Sequence, residues 1–141
     1  MKLNKAIIFL FLAWIVLQSG CDDFIVEDIS KDEILVITPT NGSVLTDSEV
    51  DFSWEILKGA TSYHLQVVLP DFDHAKKLML DTVINRNSFI RVFPSGSYEW
   101  RVSGSNEAYN TIYSYNKFVV DLDKNNSILK VGKVPERIFP D

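Results

Sequence analysis

The chain has 141 residues, 46% of them hydrophobic and 23% charged, enough for one domain with a real core and too few for two comfortable ones. Its net charge of -5 becomes -7 once the first 20 residues, which hold Lys2 and Lys5 but no acid, are removed; the basic residues left are scattered among acids, which excludes the clustered Lys and Arg that nucleic-acid binding needs. The single cysteine, Cys21, excludes an intramolecular disulfide and a cysteine-rich zinc site.

Lys2 and Lys5 form a positive start to the chain, and residues 6–17 are an unbroken apolar run of 12. Such a run is too short for a membrane span, which takes about 20 apolar residues, and suits the core of a signal peptide. Ser19 and Gly20 are small, as cleavage requires, and Cys21 follows at once. The stretch Leu17-Gln18-Ser19-Gly20-Cys21 resembles the lipobox of bacterial lipoproteins, with one departure: the large aliphatic residue stands four places before the cysteine rather than three, and Gln18 takes its usual position. The resemblance implies a signal peptide over 1–20, cleavage before Cys21 and lipid on its thiol, which would anchor the protein on a membrane without crossing it. Asp22 and Asp23 resemble the acidic sorting residues of surface lipoproteins in Bacteroidetes-like bacteria, which implies the outer membrane and exposure on the cell surface.

Residues 21–33 read as the lipidated cysteine and an acidic tether, and the domain is expected over 34–121. The first predicted strand, Ile34 to Thr38, ends at Pro39, after which Thr40-Asn41-Gly42-Ser43 supplies a turn. In the second, Val50, Phe52 and Trp54 alternate with Asp51, Ser53 and Glu55, the period of a strand with one face buried. The third alternates Tyr63, Leu65 and Val67 with Ser62, His64 and Gln66, and Pro70 stops it. Lys77 to Val83 is a weaker strand with the character of an edge, and Ser88 to Phe93 follows the turn at Asn85-Arg86-Asn87. Pro94-Ser95-Gly96-Ser97 then leads into the clearest alternation, Tyr98, Trp100 and Val102 against Glu99, Arg101 and Ser103; the last strand covers Tyr115 to Val120. Residues 122–141 form a C-terminal tail that either adds a short strand or trails from the domain.

Seven strands at this spacing predict an all-β, two-sheet sandwich. The segments FSW, GATSYHLQV and PSGSYEWRVSGSN, in that order, resemble a fibronectin type III domain of the bacterial kind. By that resemblance the fold is a seven-stranded fibronectin type III or immunoglobulin-like β-sandwich, Trp54 and Trp100 belong to its core, and Tyr98 is the tyrosine corner, bonding back to nearby backbone. An immunoglobulin domain proper would carry an inter-sheet cysteine pair, which is absent.

No catalytic residue is predicted. Alternation places His64 on the wet face of its strand, His74 lies in a polar connection, and no nucleophile motif accompanies either. No metal or other cofactor is predicted: Asp71, Asp73 and His74 are an incomplete ligand set, and the calcium-loop start at Asp121, Asp123 and Asn125 fails where Asn126 and Gly132 replace the required glycine and glutamate. Tyr109 and Tyr113, among polar residues before the last strand, are candidate glycan contacts, or else a hydrophobic lid over the end of the sandwich, the reading that composition favours. Asp81-Thr82-Val83 resembles an O-glycosylation acceptor of Bacteroidetes-like secreted proteins, with the sugar on Thr82. The function expected is a non-enzymatic, lipid-anchored envelope module for adhesion or interaction with an envelope protein; the alternative is a glycan-binding accessory lipoprotein of a polysaccharide-utilisation system.

Overall fold

The computed structural model describes residues 26–124; the predicted signal peptide, Cys21 and most of the C-terminal tail lie outside the described residues. Eight strands form two sheets: β1 (Val36–Thr38), β2 (Ser43–Leu45), β3 (Glu49–Trp54), β4 (Ser62–Leu69), β5 (Lys77–Ile84), β6 (Ser88–Val92), β7 (Gly96–Ser105) and β8 (Ser114–Val120). The three-stranded sheet runs β1-β3-β6 and the five-stranded sheet β2-β8-β7-β4-β5. The result is an all-β sandwich of the fibronectin type III and immunoglobulin-like kind, with eight strands where seven were expected. The extra one is β2, which falls where the sequence reads as the end of a turn. It is three residues long and pairs parallel to β8, Ser43 opposite Phe118, so it owes its existence to a distant partner rather than to its own pattern.

Alternation does the rest. Val50, Phe52 and Trp54 of β3, Tyr63, Leu65 and Val67 of β4, and Tyr98, Trp100 and Val102 of β7 all turn inward and are buried. Aromatic rings fill the space between the sheets edge to face: Phe52 lies 5.1 Å from Trp100, 5.7 Å from Phe118 and 5.8 Å from Phe93. Tyr98 stacks on Phe118 at 5.2 Å, and its hydroxyl donates to the carbonyl of Pro94 at 2.8 Å.

β5 is an edge strand with an irregular register. Val67 pairs with Leu80 and Val68 with Leu78, leaving Met79 as the extra residue of a bulge. Met79 packs against the core. The bulge resets the alternation, so that Leu78, Asp81 and Val83 share the outer face of the sheet.

Residues 26–33, expected to be tether, are part of the folded body. Ile29 is fully buried, Lys58 Nζ meets Glu27 Oε1 at 3.1 Å, and Asn106 Nδ2 donates to the Glu27 carbonyl at 2.9 Å. The physical reason is Gly59. With φ near +86 and no side chain, it lets Glu27 and Ile29 approach its backbone. Following the strands places 26–33, 55–61, 85–87 and 106–113 at one pole of the sandwich, and 46–48, 70–76, 93–95 and 121–124 at the other.

Candidate functional site

The outer face of the five-stranded sheet carries the densest cluster of polar and aromatic side chains. Its frame is a matter of register. Asp81 on β5 pairs with Gln66 on β4, Gln66 with Arg101 on β7, and Arg101 with Tyr115 on β8, so one residue from each of four strands stands in a row across the sheet. The row is hydrogen-bonded throughout. Gln66 Nε2 donates to Asp81 Oδ2 at 3.1 Å, Arg101 Nε to Gln66 Oε1 at 2.8 Å, and Arg101 Nη1 to the Tyr115 hydroxyl at 3.1 Å.

Arg101 is the centre of the cluster. Its guanidinium lies 4.2 Å from the ring centroid of Phe72, 4.3 Å from that of Tyr113 and 5.7 Å from that of Tyr115. Phe72 comes from the β4–β5 connection and is held by its backbone N–H, which donates to Glu99 Oε2 at 2.7 Å. Three aromatic contacts and two hydrogen bonds therefore fix a side chain that would otherwise sample many rotamers.

A second chain of bonds runs along the cluster. His64 Nε2 lies 2.6 Å from Asp81 Oδ1, and His64 Nδ1 lies 2.6 Å from the Tyr113 hydroxyl. The hydrogen bond from His64, then that from Gln66, holds the Asp81 carboxyl below its ordinary range. An ionised Asp81 can only accept, so His64 donates to it from Nε2. Carboxylate, imidazole and hydroxyl stand in the order of a proton relay. The main-chain N–H groups of β4 and β7 beneath it are committed to the ladders. The bonds serve to orient Tyr113 and Gln66 around Arg101.

The predicted site residues are dispersed. Tyr113 belongs to this cluster, while Tyr109 sits in the β7–β8 connection, its backbone N–H bonded to Asn106 Oδ1 at 2.8 Å; no hydrogen bond or ring contact joins the two tyrosines. Thr82 is half-buried on β5 opposite the fully buried Leu65, so its side chain leaves the sheet on the inner side, at the edge. Trp54, Tyr98 and Trp100 are all buried. Cys21 lies outside the described residues. Asp71 Oδ1 accepts the His74 backbone N–H at 2.8 Å and lies 3.0 Å from His74 Nδ1, and the first of these bonds chiefly lowers its pKa. That carboxylate therefore caps a turn.

Arg101, Gln66, Asp81, Tyr115 and Phe72 were not singled out by sequence. Alternation does place Arg101 and Gln66 on wet faces, but only register brings them side by side.

Two concavities lie elsewhere. A groove of about 360 Å³ runs between residues 33–36 and 114–116, and another of about 380 Å³ lies beside Gly59, between residues 26–27 and 106–107. Neither contains a residue of the Arg101 row other than Tyr115.

No protein-family model matches the chain, and no curated protein matches it either. In shape it is similar to the fibronectin(III)-like modules of Clostridium thermocellum CbhA, with 9% identity and a TM-score of 0.47 over 62% of this chain and 95% of theirs. A Fn3-like protein from Clostridium thermocellum is 15% identical, with a TM-score of 0.44 over 57% of this chain and 86% of its own. A fourth FNIII domain from human is also 15% identical, with a TM-score of 0.49 over 72% of this chain and 88% of its own. These are likenesses of shape alone, and the fold rests on the strand order of the two sheets.

Proposed function

We propose that this protein is a non-enzymatic interaction module of the bacterial envelope, held at the outer membrane by lipid on Cys21, that binds a protein partner on the outer face of its five-stranded sheet. The observation that carries the reading is the row Asp81–Gln66–Arg101–Tyr115, with Phe72 and Tyr113 against the arginine. Arg and Tyr are the residues in which binding energy concentrates at interfaces, and side chains already fixed lose little entropy when a partner arrives. Leu78 and Val83, 54% and 64% exposed on the same face, add apolar surface for a partner to cover. The folded body is under way five residues after Cys21, a span of at most about 18 Å, so a lipid there would keep the sandwich close to the membrane.

A photo-crosslinking residue in place of Tyr115, in cells making the full chain, should give one discrete heavier species. The same residue in place of Asp51, on the outer face of the other sheet, should give none, and Cys21→Ser should release the protein from the membrane. Equal crosslinking at both positions would sink the proposed face; an intact mass without lipid would sink the anchor.

A glycan reading draws on one observation: Tyr115, 50% exposed, stands at one end of the row whose other members include Gln66 and Asp81, planar polar groups suited to sugar hydroxyls. It predicts retention on a polysaccharide column that is lost with Tyr113→Ala or Tyr115→Ala and unchanged with Tyr109→Ala.

A further inference from the structure

Arg101 feels the Asp81 carboxylate across the row but meets no carboxylate directly. Among the described residues it makes no ion pair, and the two acids that share its face are engaged elsewhere. Asp81 takes His64 on one oxygen and Gln66 on the other, and Glu99 takes the Phe72 N–H on one and Lys117 Nζ, at 3.9 Å, on the other. Of the five N–H bonds of the guanidinium, one at Nε and one at Nη1 are used. Three remain. The contacts with the Phe72 and Tyr113 rings leave the edge of the fork as the part able to donate.

We infer that Arg101 is the receptor for a single carboxylate, an Asp or Glu side chain set among apolar residues on the partner protein. The inference rests on the interaction reading above and specifies its chemistry. A guanidinium edge matches a planar carboxylate with two parallel hydrogen bonds. A guanidinium close to the acids Asp81 and Glu99, with Lys117 already drawn to Glu99, on a chain of net charge -5, suits a monoanion better than a doubly charged phosphate or an acidic polymer. The surroundings favour protein over sugar. The Phe72, Tyr113 and Tyr115 rings are already taken up by Arg101 and by one another, which leaves little ring face for a sugar to stack on, while exposed Leu78 and Val83 offer apolar flanks.

The test follows the Arg101 side-chain Nε–Hε resonance of the full chain, nitrogen-15 labelled and held in a non-ionic detergent, at constant ionic strength. The probes are acetyl-Leu-Glu-Val-amide, its Gln counterpart, oligogalacturonate and inorganic phosphate. The Glu peptide should shift the resonance saturably and bind at least tenfold more tightly than the Gln peptide. Arg101→Lys, which keeps the charge and loses the fork, should bind the Glu peptide at least tenfold more weakly while melting cooperatively. Equal binding of the Glu and Gln peptides overturns the inference, and this comparison in the wild type does not depend on how any variant folds. Binding of oligogalacturonate or phosphate as tight as that of the Glu peptide also overturns it, in favour of an acidic glycan or a general anion site. The interaction reading is judged separately. Crosslinking at Tyr115 that persists in Arg101→Lys retains the face and removes only the carboxylate, whereas no crosslinking in the wild type removes the face itself.

Discussion

Tyr98 joins the core to its own turn: the ring stacks on Phe118, and the hydroxyl donates to Pro94 O four residues back. Tyr98→Phe keeps the ring and removes the bond, so it should cost about 1 kcal/mol in denaturant unfolding. Burial also raises the pKa of the phenol above its ordinary value of 10.0. An acid whose folded pKa is raised contributes stability that is complete below the unfolded value and lost as pH rises through the folded one. The wild type should therefore lose stability above about pH 10 more steeply than Tyr98→Phe, and parallel alkaline limbs would show that this phenol does not couple to folding. Trp54 makes a different case. It is fully buried, its ring lies 5.5 Å from that of Tyr63, and the Tyr63 hydroxyl accepts the Leu57 N–H at 3.0 Å. Trp54→Ala should destabilise the domain by about 3–5 kcal/mol through the cavity it leaves, and a melt that barely moves would be inconsistent with its place between the sheets.

At the scale of the element, two glycines with positive φ separate conformational strain from close packing. Gly42 has φ near +79 and nothing within 4 Å of where a Cβ would stand; Gly59 has φ near +86 and would set its Cβ 3.1 Å from both Glu27 Cβ and Ile29 Cγ2. Gly42→Ala should cost about 1–2 kcal/mol for the left-handed backbone alone. Gly59→Ala should cost that and about 1–3 kcal/mol more for overpacking, with faster hydrogen exchange over 26–33 as the distinguishing sign. Equal costs would mean that residues 26–33 yield freely. The strands themselves were legible where one face is buried and the other wet, because Val50, Phe52 and Trp54 or Tyr98, Trp100 and Val102 must then alternate with polar residues. β2 was not, since Ser43–Leu45 has no period of its own and exists through Phe118–Val120. The Arg101 row was half legible: alternation sets Gln66 and Arg101 on outer faces, but which residue stands beside which depends on pairing between strands as far apart as Gln66 and Arg101. The docking of Ile29 was illegible, because one isoleucine in an acid-rich stretch carries no periodic signal.

For the whole molecule, the consequence is where the folded body starts. Residues 26–33 meet the sandwich at the pole formed by 55–61 and 106–113, through a fully buried Ile29 and the bonds of Glu27 to Lys58 and Asn106. The exposed pair of Lys58 and Glu27 adds little in water, so the isoleucine should account for most of what this segment contributes. Complete burial of such a side chain is worth about 2 kcal/mol, and a domain of this size shifts its melting midpoint by roughly 4–8 °C for each kcal/mol. A chain beginning at Ile34 should therefore melt several degrees or more below one beginning at Val26, while the fold is kept. The Asn106 side chain would retain its bond to Gly59 O, at 3.0 Å, and lose the one to Glu27 O, so protection should fall around 106–109 and hold in β4 and β7. If both chains melt together, residues 26–33 act only as a tether, and the distance from Cys21 to the sandwich grows by eight residues.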